Sequence, residues 1–393
     1  MPFGPAFTPG EYARRLKQTR AAMAAAGIDV LIATDPSNQN WLTGYDGWSF
    51  YVHQAVILPM EGKPVWWGRG QDANGAVRTV DLAAVEVTSY PDNYVQSTER
   101  HPMQHLAGVL SEMGLGDARV GVEMENYYYS AKAHAVLFDT LHGATPVDAT
   151  ALVNRERGCK SPEELAFMRK AARIAEKVQT TALDLAAPGL RKNDLAAEIQ
   201  SVCLRGDGED WGDYPAIVPL MPSGTDAAAP HLTWNGDVMQ TGEATFFELA
   251  GCYRRYHVPL SRTIYLGEPP DHLRRAEEAL LEGLEAGIEA ARPGNRACDI
   301  ANALGAAMER AGIDRGARCG YPIGLSYPPD WGERTISLRS EDESVLKPGM
   351  TFHFMPGIWM HDWGLEITES ILIREAGPAE AFCTLPRKLF VKS

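Results

Sequence analysis

The sequence predicts an α+β protein of two domains, a small α/β domain over residues 1–155 and a larger domain over 156–393. Three observations carry that expectation. At 393 residues the chain exceeds what one ordinary hydrophobic core organises. Helical and strand patterns alternate through its first part. Its second part repeats a helix–Pro-Gly–helix unit, with a hairpin pattern after each copy.

In the first domain, Tyr12 to Ala26 has a helical pattern stopped by Gly27, and Asp29 to Ala33 follows as a short apolar strand. Further strands are expected at Gln54–Pro59, Pro64–Trp67, Val85–Ser89 and Arg119–Glu123. Helices near Met103–Met113 and Ser130–Leu141 separate some of them. The second domain opens at Ser161-Pro162-Glu163-Glu164, which supplies an N-cap hydroxyl, a first-turn proline and a capping-box glutamate. That helix is expected to run to about Ala187. Pro188-Gly189 followed by Asp194-Leu195-Ala196 is echoed by Pro293-Gly294 followed by Asp299-Ile300-Ala301, which points to a duplication. Thr245–Cys252 with Tyr256–Leu266, and Thr351–Met360 with Gly364–Ile373, read as two hairpins rich in aromatic and β-branched residues. Side by side under their helices, they leave a cleft between the halves as the natural place for chemistry.

The composition, 45% hydrophobic and 22% charged, is that of a globular protein. A net charge of −14 argues against a nucleic-acid partner, because phosphate binding needs a basic face. The six cysteines are scattered with no CxxC pair, which fits buried thiols in a reducing compartment. There is no basic, then apolar, leader pattern and no apolar run long enough to span a bilayer. The expectation is a cytoplasmic enzyme.

Cys159-Lys160-Ser161-Pro162-Glu163-Glu164 is similar to the KSxxE opening of the creatinase, prolidase and methionine aminopeptidase family. Ser223-Gly224-Thr225 leading to Pro230-His231 also fits that family, and Ser261-Arg262-Thr263 resembles the end of its D-x-T-R-T strand. Tyr321-Pro322-Ile323-Gly324 is similar to H-G-I-G, and Lys347-Pro348-Gly349-Met350 and Pro356-Gly357 follow in the family's order. The resemblance covers nearly the whole chain. It implies a pita-bread catalytic domain behind a smaller α/β domain.

Metallopeptidases of this family hold two metals with two aspartates, a histidine and two glutamates. Carried over residue by residue, those positions fall on Glu248, Pro259, Tyr321, Met355 and Thr368, the last flanked by Glu366 and Glu369. Proline and methionine offer neither a hard oxygen nor an imidazole, so no metal site and no cofactor are expected. His257, His353, His361 and Asp362 show no ligand spacing that would replace the lost set. Among metal-free members the chain is most similar to the ectoine hydrolase group. That likeness implies ectoine or 5-hydroxyectoine as substrate, opened to an N-acetylated diaminobutyrate. It also implies a homodimer, in which one subunit's first domain reaches its partner's cleft, and a downstream deacetylase. The alternatives are a creatinase-like amidinohydrolase, an Xaa-Pro-type metallopeptidase and a non-catalytic binding module of the same fold.

The resemblance places His231 at the position of the proton-shuttling histidine of creatinase, and imidazole suits that work near neutral pH; a loop histidine is otherwise a surface residue. Glu248 sits in the apolar run Thr245-Phe246-Phe247-Glu248-Leu249-Ala250. Buried there, its carboxyl would have a raised pKa and act as a base or as a nucleophile; at an edge strand it would only face solvent. Glu366 and Glu369 are three apart and so point to opposite faces of one strand. Motif position favours Glu369 as the catalytic member, with Glu366 held for substrate, a solvated face or a salt bridge. Tyr321 either donates a hydrogen bond to the substrate or fills the space the metals left. Trp234 and Trp359 are candidates to stack on a planar amidinium, and Trp48, Trp211, Trp331 and Trp363 are as readily core residues. Arg334 is a candidate to hold a substrate carboxylate, although many surface arginines share its setting.

Overall fold

The computed structural model describes residues 4–393. It divides into two compact units, the first ending at Arg157 and the second running from Gly158 to Ser393.

The first unit is built on a six-stranded sheet of β1 (Val30–Ala33), β2 (Ala55–Pro59), β3 (Val65–Arg69), β4 (Glu86–Tyr90), β5 (Arg119–Val122) and β6 (Thr145–Asp148), in the order β4-β3-β2-β1-β5-β6. Helices α1 (Pro9–Ala26), α2 (Pro36–Thr43), α3 (Gly70–Thr79), α4 (Pro102–Glu112), α5 (Ala131–Thr140) and α6 (Leu152–Glu156) cover it. The central strands read as unbroken apolar runs because both faces of the sheet are buried. Val30 and Ile32 pack with Met103, Leu106 and Leu137 on one face. Leu31 and Ala33 pack with Met23, Trp41 and Ala76 on the other. Thr8 caps α1 through its side chain, and Gly27 ends the helix with φ of 65°.

The second unit shows the duplication down to its backbone. Helix α7 (Pro162–Leu185) is followed by α8 (Lys192–Arg205), and α9 (Asp271–Ala290) by α10 (Ala297–Arg310). In each copy the proline lies just past the first helix, and the next glycine has positive φ, 86° at Gly189 and 89° at Gly294. Gly189 N–H then donates to the Met239 carbonyl, and Gly294 N–H to the Leu346 carbonyl. The predicted capping box at Ser161 and Glu164 forms, and Glu164 also accepts from the buried Tyr256 hydroxyl at 2.7 Å.

The first hairpin forms as read, with β7 (Ala244–Tyr253) antiparallel to β8 (Tyr256–Leu266). At Gly251 a Cβ would lie 2.0 Å from the Ala171 carbonyl, so this glycine lets α7 lie directly on β7. The second hairpin is broken in both arms. Strand β11 (Thr351–Phe354) pairs with β14 (Glu369–Leu372) in the main sheet, whereas β12 (Gly357–Trp359) and β13 (Gly364–Glu366) form a separate ribbon. Pro356 has no N–H to continue the first arm. In the second arm Thr368 N–H donates to the Ser261 carbonyl on β8. Strand β9 (Gly320–Tyr327), read from sequence only as a motif, lies between β8 and β11 and carries the short β10 (Asp330–Gly332) on its edge. Strands β15 (Glu380–Ala381) and β16 (Phe390–Lys392) complete the eight-stranded sheet.

Candidate active site

One cavity of about 310 Å³ opens where β7, β9 and β12 meet the segments around Leu220, His231 and Asp330. Its lining includes His231, Glu248, Tyr321 and Trp359, drawn from four separate stretches of chain. Ile217, Leu220, Pro230, Ala317 and Met355 supply apolar surface, and Asp330 and Arg318 supply charge. The volume suits a small molecule.

Glu248 is at the middle of β7 and only 4% exposed. An edge position is ruled out, since β8 pairs with it on one side and Leu220 exchanges both backbone hydrogen bonds with it on the other. Burial raises its carboxyl well above the ordinary range, and the negative potential of Glu366 and Asp330 acts in the same direction. Glu366, on β13, is fully buried one layer behind the lining. Its carboxylate accepts from the Trp359 indole N–H at 3.0 Å and so fixes the ring that faces the cavity. Burial pushes Glu366 up to about 7, while the Ser261 hydroxyl and the Trp359 indole pull it back. Apart from this approach to each other, short of a full hydrogen bond, its Oε2 and the Ser261 hydroxyl are buried without partners.

The two glutamates flanking Thr368 therefore divide opposite to expectation. Glu369 is absent from the cavity lining: its carboxylate meets the fully buried Arg262 guanidinium at 2.6 Å and Arg387 at 3.1 Å. The two carboxylates do point to opposite faces, Glu366 to the Ser261 side of β8 and Glu369 to the Arg262 side; what fails is the choice by motif position, and Glu369 is left in a structural ion pair. Three other expectations also move. Trp234 is half-buried outside the lining, in the irregular stretch 232–235 that follows His231. Arg334 is exposed on a positive-φ turn, also outside the lining. Trp48 belongs to the first unit, 58% exposed and packed on Phe50.

His231 follows a 3-10 turn (Gly224–Ala228), is exposed, and has no hydrogen-bond partner among the described residues, so its imidazole is available to a bound molecule. Tyr321 is engaged: its hydroxyl accepts from the Trp331 indole at 2.8 Å and lies 3.0 Å from His353 Nδ1. His353 Nε2 lies 2.8 Å from the Thr368 hydroxyl, which also accepts from Ser261 N–H. Burial, helped by Arg318, lowers His353 to about 3, so the ring is neutral and its 3.9 Å approach to Glu248 is not an ion pair at neutral pH. Two proton arrangements satisfy this chain. When Thr368 donates to Nε2 and Nδ1–H donates to Tyr321, the phenol hydrogen is free for the cavity.

This network takes in Tyr321 and Thr368, two of the five positions that the family resemblance assigns to metal ligands. Tyr321 and Thr368 are tied to His353, Pro259 has no donor side chain, and Met355 presents a thioether. Only Glu248 keeps a carboxylate, and among the described residues no group of three or more histidine, cysteine or acidic side chains could hold a metal ion. His257, whose spacing gave no sign of a ligand set, accepts from Ala216 N–H in the core. The donor set does not fit a metal pair.

Sequence reasoning missed Arg318, Asp330 and the role of His353. Arg318 and Asp330 lie in or beside irregular segments whose periodicity carries no facing information. His353 had a signal, since alternation places it on the Met355 side of β11.

Chain-wide comparison agrees with this architecture. A creatinase/prolidase N-terminal domain model matches residues 15–159, and the metallopeptidase family M24 model matches residues 166–375. The chain is 58% identical to the ectoine hydrolase of Halomonas elongata over 98% of both chains. The crystal structure of dipeptidase PepE from Mycobacterium ulcerans superposes with a TM-score of 0.81 at 25% identity, covering 98% of this chain and 99% of that one. A prolidase from Thermococcus sibiricus shares the fold with a TM-score of 0.83 at 19% identity, over 97% and 99%. The chain belongs to metallopeptidase family M24, with a creatinase/prolidase N-terminal domain.

Proposed function

We propose that this protein hydrolyses ectoine, opening its cyclic amidine to an N-acetyl-2,4-diaminobutyrate without a metal. The observation that carries this reading is the cavity itself: His231, Glu248 and Tyr321 line one space, and Tyr321 is tied to Thr368 through His353 in a hydrogen-bonded organic network. The identity to an ectoine hydrolase over nearly the whole chain supports the choice of substrate.

The amidinium carries its own positive charge, so its central carbon is electrophilic without a Lewis acid. Trp359, held by Glu366, offers a ring face to the planar cation. A cation in the cavity offsets the repulsion between Glu248, Glu366 and Asp330 and returns Glu248 to its carboxylate form. Glu248 then delivers the oxygen, by deprotonating water or by attacking the carbon itself. Tyr321 donates to the developing charge. One ring C–N bond breaks, and His231 protonates the departing nitrogen; the sum is ectoine plus one water giving the ring-opened amide. The test is product analysis after incubating metal-depleted protein with ectoine, with creatine as the control. Turnover that needs stoichiometric divalent metal, or that occurs on creatine and not on ectoine, refutes the reading.

The same reading takes 5-hydroxyectoine as a second substrate and passes the amide to a deacetylase. Cytoplasmic location is supported by six free cysteines and no disulfide. Among the described residues no helix is long and apolar enough to cross a membrane. A homodimer is supported by the exposed aromatic side chains Trp48, Tyr51 and Tyr127 on the first unit. Sedimentation equilibrium checks the dimer.

A further inference from the structure

The cavity has a cation with no anion of its own. Arg318 lines it, is exposed, and among the described residues makes no ion pair and no side-chain hydrogen bond. Its guanidinium lies over the face of Tyr321, 4.7 Å from guanidinium carbon to ring centroid. Tyr321 in turn reaches Glu248 through its hydroxyl and His353. The guanidinium and the acidic pair of Glu248 and Asp330 thus share one lining, with the Tyr321 side chain between them.

We infer that Arg318 is the specificity-determining residue that binds the substrate's carboxylate, and that by doing so it decides which of the two ring nitrogens leaves. This rests on the amidine-hydrolase reading above. The chemical ground is the symmetry of the substrate. In an amidinium the two nitrogens share the charge equally, so Glu248 and the Trp359 face cannot distinguish the ring from its flipped copy. The carboxylate, attached beside one nitrogen only, breaks that symmetry, and a guanidinium binds carboxylate in a directional, two-pronged manner. With the carboxylate on Arg318, one nitrogen is presented to His231 and the other is not. The unpaired cation on the cavity wall therefore fits a ligand that is itself dipolar, an amidinium at one end and a carboxylate at the other.

The test uses the full-length protein and its Arg318→Gln and Arg318→Lys variants, with ectoine and its decarboxylated analogue 2-methyl-1,4,5,6-tetrahydropyrimidine. KM and the ratio of the two N-acetyl-2,4-diaminobutyrate isomers are read for ectoine, and calorimetric affinity is read for both compounds. Parent protein should yield one isomer. Arg318→Gln should raise KM for ectoine about 10- to 100-fold, the range for a lost charge-assisted bond, and should give a mixture of isomers. Arg318→Lys should fall between, and the analogue should bind parent and Gln variant alike. A Gln variant that keeps one isomer with KM within about threefold of the parent overturns the inference, and so does equal loss of affinity for both compounds. Parent protein that binds ectoine in preference to the analogue but does not turn it over would sink the hydrolase reading while leaving the carboxylate anchor in place. A merely structural Arg318 would lower stability without changing the isomer ratio.

Discussion

Glu369→Gln and Glu366→Gln are nearly the same change in sequence, three residues apart, and the structure makes their consequences opposite. Arg262 is fully buried. Its guanidinium donates to the carbonyls of Ser261, Thr368, Pro386 and Leu385 and reaches the Glu369 carboxylate at 2.6 Å. Removing one charge of such a pair leaves the other uncompensated in the interior, at a cost of about 3–5 kcal/mol. Glutamine retains one acceptor oxygen, which places the expected loss near the lower figure, or roughly 6–12 °C in the Tm of a domain of this size. Glu366 has the reverse ledger. Its pKa rises from 4.5 to about 7 on folding, so the folded state holds a proton that the unfolded chain releases between those values. Parent stability therefore falls as pH rises through that window, by at most about 3 kcal/mol once above it. Glu366→Gln removes this slope: it should melt several degrees above the parent at pH 8 and equal to it near pH 4. Function should move the other way. At 25 °C Glu369→Gln should keep kcat/KM within about threefold of the parent, whereas Glu366→Gln, which frees Trp359 and alters Glu248, should lose about tenfold or more. Thermal melts at pH 4 and pH 8 with steady-state kinetics on ectoine decide it. A Glu366→Gln variant that melts below the parent at pH 8, or a Glu369→Gln variant that is stable but inactive, refutes the division of roles.

Three further outcomes follow from the same geometry. His231→Ala should lower kcat by about 100- to 10,000-fold, the range for a lost general acid–base group, with Tm unchanged because the side chain is exposed and unbonded; a variant as active as the parent removes the assignment. Ectoine affinity should fall as pH drops below about 7, because Glu366 is then protonated and the cation must displace that proton as well as the one that burial holds on Glu248. Titration calorimetry in buffers of different ionisation enthalpy should show proton release on binding near neutral pH, and no release contradicts the coupling. Tyr321→Phe leaves the Trp331 indole and one side of His353 without a partner in a buried site, which should cost about 1–3 kcal/mol. It should also lower kcat more than it raises KM, as kinetics and a denaturant melt together show.

Much of the architecture is legible in one dimension because it is encoded locally. Ser161, Pro162 and Glu164 start α7 by satisfying that helix's own first N–H groups, and Pro188-Gly189 and Pro293-Gly294 end their helices alike in both copies. Uninterrupted apolar runs such as Val30–Ala33 announce strands buried on both faces. The loss of ligand chemistry at Pro259 and Met355 is likewise a property of the side chains alone, and it needs no coordinates. What the sequence could not decide were matters of direction and distance. Whether Glu366 or Glu369 serves the site depends on which face of β8 each meets across more than a hundred residues of chain, Glu366 the Ser261 side and Glu369 the Arg262 side. His353 acquires its place between Tyr321 and Thr368 from three strands set side by side. Arg318, in an irregular segment, gains its meaning from the cavity it borders and the anion it lacks. Local chemistry obeys short-range rules that a chain carries in its order, but convergence of charges is a long-range fact, and only the folded sheet creates it.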